Sequence, residues 1–136
     1  MTVSLISCDD FYKFVEQNGL NNAILLDVRT RDEMDAYSLD KDAVQMPLHE
    51  LDADKIKEHN PDTVFVLCKA GGRAMMAAHY LEAHGVQNLA VIDGGITACK
   101  GMGMRLNGTN LKPLPEEEEK MFAAIQKSVA EFKAQN

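Results

Sequence analysis

The chain has 136 residues, 46% of them hydrophobic, enough for a single domain to bury its own core without metal or cross-link. A formal net charge of −7 excludes the basic face that nucleic-acid phosphates require, and no run reaches the ~20 apolar residues of a membrane span. The three cysteines are far apart and form no Cys-x-x-Cys, so neither a disulfide framework nor a zinc site is expected; with Met1 to Ser7 unlike a signal peptide, the expected setting is reducing and cytoplasmic.

Strand and helix signals alternate with short breaks, which predicts an α/β fold: a parallel sheet with helices on both faces. The five strands are expected at 3–6, 23–28, 43–46, 63–68 and 89–93. The first helix should start at Ser7, whose hydroxyl can cap it with Asp10 three residues on, and stop at Gly19. Further helices are expected at 30–37, 48–56 and 73–84, the last closed by Gly85. In the tail, Pro115 and Glu116 to Glu119 suit a helix start, and Phe122, Ile125, Val129 and Phe132 recur at spacings of three and four. The expected organisation is therefore one domain over residues 1–108 and a C-terminal amphipathic helix within 109–136. Such a stripe more often docks on its own domain; the alternative is a homodimer through this helix.

Chemistry concentrates at Val64 to Arg73, Val-Phe-Val-Leu-Cys-Lys-Ala-Gly-Gly-Arg. An apolar strand ends in a cysteine, and a short glycine-containing loop leads into a helix. Gly71 and Gly72 can take the positive φ angles that curl a loop and turn its N–H groups inward, where they favour an anion. The helix N-terminus, Arg73 and Lys69 add positive character, and together these features favour thiolate over thiol at Cys68. An amide donating to a charged acceptor contributes roughly 1.5–3 kcal/mol against about 0.3–1 for a helix end, so the loop matters more than the helix. Open parallel sheets bind ligands beyond the carboxyl ends of their strands, where Asp27, Cys68 and Asp93 all fall.

Cys68-Lys69-Ala70-Gly71-Gly72-Arg73 resembles the active-site loop of the single-domain rhodaneses, the sulfurtransferases. Leu26-Asp27-Val28-Arg29 is similar to that family's strand-end Asp-x-Arg, Ala43 to Leu48 to its third strand, and Asp93-Gly94-Gly95-Ile96-Thr97-Ala98 to its segment after the fifth strand. The likeness runs in order from about Ile6 to Gly103 and implies a rhodanese-like five-stranded fold. Two departures stand out. Ser38 to Ala43 lacks the histidine and both glycines common before the third strand, so that connection should be reshaped, and Cys99 stands where a tryptophan often follows.

The resemblance implies a sulfurtransferase. Cys68 would be the catalytic nucleophile, taking a sulfane sulfur from thiosulfate or a low-molecular-weight persulfide and passing it to a thiol or cyanide, with no metal or organic cofactor. The loop residues Lys69, Ala70, Gly71, Gly72 and Arg73 form the candidate substrate-binding set, with Arg73 expected to support the loop and Lys69 either to choose substrate or merely to be solvated. Asp27 and Arg29 read as a supporting ion pair and Asp93 as a turn residue. For Cys99 core packing is the expected role, with attack on a Cys68 persulfide as the alternative; Cys8 is expected to be inert. His49, His59, His79 and His84 are too scattered for a metal site, and Met75, Met76, Met102 and Met104 suit packing around the pocket. Two other functions are weighed: a cysteine phosphatase or arsenate reductase of related fold, whose loop has five residues between cysteine and arginine where this chain has four, and a rhodanese-like interaction module, which typically lacks the cysteine.

Overall fold

Side chains alternate strictly between two faces along the central strands, and this alternation builds both halves of the core. The computed structural model describes residues 3–108 and 114–136. The elements run β1 (Val3–Ile6), α1 (Cys8–Asn18), β2 (Ala23–Asp27), α2 (Arg31–Ala36), β3 (Ser38–Leu39), β4 (Val44–Gln45), a 3₁₀ turn (Leu48–Glu50), α3 (Ala53–Glu58), β5 (Thr63–Leu67), α4 (Gly72–Ala83), β6 (Leu89–Ile92), α5 (Gly95–Gly101), β7 (Leu106–Asn107) and α6 (Pro115–Gln135). The expected domain limit after residue 108 opens on residues outside the described ones.

Five strands form a parallel sheet, as the sequence pattern predicts, and their order is β1-β6-β5-β2-β4. Leu26, Val64, Val66, Leu89 and Val91 point to one face, against Ala53 and Ile56 of α3 and Ala74, Ala77, Ala78 and Leu81 of α4. Leu25, Phe65, Leu67, Ala90 and Ile92 point to the other, against Phe11 of α1 and Ile96 of α5. Burial on both faces is why these strands read as unbroken apolar runs. The middle strand of the five, β5, carries Cys68 at its carboxyl end.

Capping sets the helix starts. Ser7 Oγ accepts from the Asp10 N–H at 3.0 Å, and Gly19 closes α1. A full capping box joins Thr30 and Glu33 at the start of α2. The single helix expected over 48–56 is instead the 3₁₀ turn followed by α3, because the Asp52 carboxylate accepts from the Asp54 and Lys55 N–H groups and starts a new helix there. Three elements escape the sequence pattern. The reshaped connection after α2 becomes β3, paired antiparallel with β7, and both strands are two residues long, too short to show a period. The segment after β6 is helical, as α5.

The largest departure concerns the cysteines. Cys8 opens α1 and Cys99 lies on α5, and the two are joined by a disulfide with Cα atoms 5.4 Å apart. The expectation of no disulfide is thereby overturned: the partners are 91 residues apart in sequence, and only the shared face of the sheet brings them together. Both are fully buried, so Cys99 belongs to the core and, being bonded, has no thiol to offer a Cys68 persulfide. Of the four methionines expected to pack near the site, Met75, Met76 and Met104 lie against the core and Met102 is exposed.

The C-terminal half of α6 docks on the α4 face. Phe132 is buried there beside Val129 and meets Tyr80 edge to face at 5.7 Å, while buried Ser128 Oγ lies 3.0 Å from His49 Nδ1. The N-terminal half does not dock in the same way, for Phe122 is 62% exposed. Among the described residues no helix is long and apolar enough to cross a membrane.

A cross-link closing a loop of this length restricts the unfolded chain by about 4–5 kcal/mol in the chain-entropy model, with measured losses of roughly 2–5 kcal/mol when native disulfides are removed. Urea unfolding of the Cys8→Ala/Cys99→Ala protein should accordingly show a clearly lower midpoint than the oxidised native chain, and a reductant should lower the native midpoint but leave the variant's unchanged. Coincident native curves with and without reductant would mean that the bond contributes nothing to stability.

Candidate active site

Cys68 follows β5 directly and is 1% exposed. The chain then turns through Lys69 and Ala70, both exposed, to Gly71, whose φ of 112° is the left-handed conformation that a side chain would strain. That turn brings the Gly71 N–H back to donate to Cys68 Sγ at 2.9 Å. Gly72 does not share the positive φ expected of both glycines; it is the first residue of α4, one position earlier than the sequence pattern placed the helix.

A second element braces the loop from the side. The Ile96 N–H donates to the Cys68 carbonyl at 2.9 Å and the Thr97 N–H to the Lys69 carbonyl at 3.0 Å. Gly95, at a φ of 60°, lets α5 come this close, because a Cβ there would collide with both carbonyl oxygens. The segment Asp93 to Ala98 is thus a clamp on the loop's carbonyls. Asp93 itself is exposed at the turn.

The third support is a buried charge network. Arg73 gives both terminal nitrogens to Glu33, with Nη1 donating to Oε1 at 2.6 Å and Nη2 to Oε2 at 2.9 Å, and both residues are at most 8% exposed. The Thr30 N–H also donates to Glu33 Oε1, at 2.9 Å. Burial pushes the Glu33 carboxyl up, but the Arg73 hydrogen bonds and charge, the Thr30 N–H and the Arg29 charge outweigh it and hold the group below the ordinary glutamate range. For Arg73, burial opposes the charged form, and Glu33 together with the sulfur of Cys68 overcomes that and raises it further. Arg29 Nη2 and Nε donate to the Asp27 carboxylate at 2.8 and 3.0 Å, and its Nη1 donates to the Glu33 carbonyl at 3.3 Å. The structure therefore places Asp27, Arg29 and Arg73 around the loop, with the Arg73 fork taken up by Glu33 and Lys69 left facing outward.

Glu33 is the site residue that the sequence pattern passed over. Its signal was present as Thr30-Arg31-Asp32-Glu33, a capping-box spacing, but that signal speaks only of a helix start. That the same carboxylate would meet Arg73, 40 residues away, depends on α2 and α4 starting beyond the carboxyl ends of the neighbouring strands β2 and β5.

Next to Lys69 opens a cavity of about 800 Å³, bounded by Lys69, Thr97 and Lys100 on the loop and α5 side, by Arg29, Glu33 and Tyr37 around α2, and by α6 on the other side.

Removing one member of a buried ion pair strands the other charge and typically costs about 3–5 kcal/mol. Glu33→Gln should lose stability on that scale in denaturant unfolding at neutral pH. Because the folded Glu33 pKa is depressed, the pair's contribution is complete above the ordinary glutamate value and is lost as pH falls through the lower folded value. The native protein should thus lose stability in acid, below about pH 4, more steeply than Glu33→Gln does. Parallel slopes for the two proteins would show that the pair does not govern acid sensitivity.

Comparison with known proteins agrees with this geometry. The family model described as a rhodanese-like domain matches residues 7–102. The Arabidopsis thaliana protein named rhodanese-like/PpiC domain-containing protein 12, chloroplastic, is 37% identical over 83 residues; the match covers 58% of this chain but only 27% of that relative's length. A crystal structure of a rhodanese-related protein from Thermoplasma volcanium superposes with a TM-score of 0.63 at 26% identity, covering 76% of this chain and 97% of the other. A thiosulfate sulfurtransferase from Pseudomonas aeruginosa has the same fold with a TM-score of 0.67 at 20% identity, covering 94% of this chain and 25% of the other.

Proposed function

The chain belongs to the rhodanese-like domain family, and from that premise we propose that it is a sulfurtransferase working through a persulfide on Cys68. The carrying observation is the Gly71 N–H donating to Cys68 Sγ at 2.9 Å at the end of the middle strand, since a donor held by the fold at the reacting sulfur stabilises negative charge there without reorganising. The similarity in fold to a thiosulfate sulfurtransferase supports the same reading.

In the forward step the Cys68 thiolate attacks the outer sulfur of thiosulfate or of a low-molecular-weight persulfide. A new S–S bond forms to Cys68, the donor's own bond to that sulfur breaks, and the leaving group departs with the electron pair as sulfite or as a thiolate. The terminal sulfur of Cys68–S–S⁻ carries the negative charge. An acceptor thiolate or cyanide then attacks that sulfur and regenerates the Cys68 thiolate, so the cycle needs no metal, no organic cofactor and no general base. Arg73 acts through Glu33 to hold the loop, and Lys69 attracts anionic donors at the surface.

Loop length separates this chemistry from phosphate or arsenate handling. Four residues lie between Cys68 and Arg73, and a tetrahedral oxyanion needs a wider ring of amides than one terminal sulfur.

Mixing the protein in turn with thiosulfate, glutathione persulfide and mercaptopyruvate should add one sulfur atom by intact mass with at least one donor, mapped to Cys68 and absent from Cys68→Ser. Arg73→Ala should lower the maximal rate by about tenfold or more through loop disorder, while Lys69→Ala should chiefly raise the KM for anionic donors. Robust aryl phosphate hydrolysis that depends on Cys68, without sulfur uptake, would overturn the reading in favour of a phosphatase.

A further inference from the structure

The face of α6 that docks on the core at Val129 and Phe132 continues toward its N-terminus as Ile125 and Phe122, at the same spacing of three and four. Core covers the first pair. The second pair, with Met121, instead walls the cavity beside Lys69, and Phe122 is left 62% exposed there. The apolar stripe is thus uncovered where it passes the site. Across the cavity stand Lys69, the residue that follows Cys68, and Lys100, together with Tyr37 and with Arg29 and Glu33, whose charges are taken up by Asp27 and Arg73.

Size and charge narrow what belongs in this space. A volume of about 800 Å³ lies in the range of cavities that hold organic ligands of drug size and far exceeds what the few atoms of thiosulfate need. Glu118 and Glu119 also border the cavity, and the chain carries a net charge of −7, so a compact dianion meets repulsion from the α6 side that a singly charged ligand meets only half as strongly. A ligand with one negative charge and an apolar body answers both walls: the charge goes to Lys69 and the body to Met121, Phe122 and Ile125.

Resting on the sulfurtransferase reading above, we propose that α6 is the specificity wall of the active site and that the preferred sulfur donor is a singly charged organic sulfane-sulfur compound with an apolar body, not inorganic thiosulfate. With an organic thiosulfonate, RSO₂S⁻, the Cys68 thiolate attacks the sulfane sulfur. The bond from that sulfur to the sulfonyl sulfur breaks, the sulfinate RSO₂⁻ leaves with the electron pair, and Cys68–S–S⁻ keeps the remaining charge. Phe122 takes no part in the chemistry; it sorts donors by their R group.

Benzenethiosulfonate and methanethiosulfonate share the reacting sulfur and the single charge and differ only in R. Their ratio of kcat/KM, divided by the same ratio for a free small thiol to remove intrinsic reactivity, should favour the phenyl donor by about tenfold or more, as expected of an aromatic body entering an apolar pocket. In Phe122→Ala the corrected preference should fall to about threefold or less, with the melting temperature kept because this side chain is exposed. A second arm uses Cys68→Ser, which cannot take up sulfur: benzenesulfonate should bind saturably by calorimetry, methanesulfonate should not, and adding Phe122→Ala should weaken the binding at least fivefold. A corrected ratio near one in the native chain, or one that Phe122→Ala leaves unchanged, would overturn the proposal. So would native dimers that Phe122→Ala dissociates in light scattering, since the stripe would then be an interface between copies. If no donor sulfurates Cys68 while benzenesulfonate still binds in a Phe122-dependent manner, the sulfurtransferase reading fails and the ligand pocket stands.

Discussion

The loop that carries Cys68 is anchored by the buried pair between Glu33 and Arg73, and most of what surrounds the site exists to make that pair tolerable. Two charges removed from water cost several kcal/mol each, and their attraction repays this only with good geometry and every remaining hydrogen-bonding group satisfied. Both conditions hold. The fork of Arg73 meets both Glu33 oxygens, Thr30 supplies a third donor, and Arg29 is itself neutralised by Asp27. Among the described residues no buried side-chain nitrogen or oxygen lacks a partner. The pair ties the start of α2 to the start of α4, and the loop is strung between β5 and α4.

A different set of forces holds the other side of the loop. There α5 takes the Cys68 and Lys69 carbonyls, and α5 is itself stapled to α1 by the Cys8–Cys99 bond. Cys68 therefore sits between an ionic brace, which weakens in acid, and a covalent one, which a reductant can open. The sulfur itself touches neither bond. Its own direct support is one backbone amide, and that amide points the right way because Gly71 can hold a backbone conformation other residues resist.

The tail helix carries a docked half and an exposed half on one stripe. Burial of Phe132 and the approach of Ser128 to His49 fix where α6 lies, and the direction of a straight helix then carries Ile125 and Phe122 past the mouth of the site. An apolar face that continues beyond its own docking surface is thermodynamically idle unless something covers it, and here it borders the cavity beside Lys69.

Local rules made much of this protein legible in its sequence. Buried strands are continuous apolar runs, a serine or threonine before a helix is a cap, and a glycine-containing loop after a strand-end cysteine marks a cradle; each rule spans a few residues, so the parallel sheet, the Ser7 cap and the placement of Cys68 could be read directly. What the sequence could not disclose are the pairings between distant residues. Cys8 with Cys99, Glu33 with Arg73, and Ile96 and Thr97 with the loop carbonyls are all chosen by the order of strands in the sheet, which brings elements together irrespective of their spacing along the chain. The two-residue strands β3 and β7 stayed hidden because two residues cannot show a period, and the split of the 48–56 segment because one Asp52 carboxylate outcompeted helix propagation. The sequence by itself determined the fold class and the place of Cys68 at a strand end, because both follow from local pattern; only the tertiary structure decided what braces the Cys68 loop and what walls the cavity beside Lys69, because those depend on which surfaces the packed sheet brings face to face.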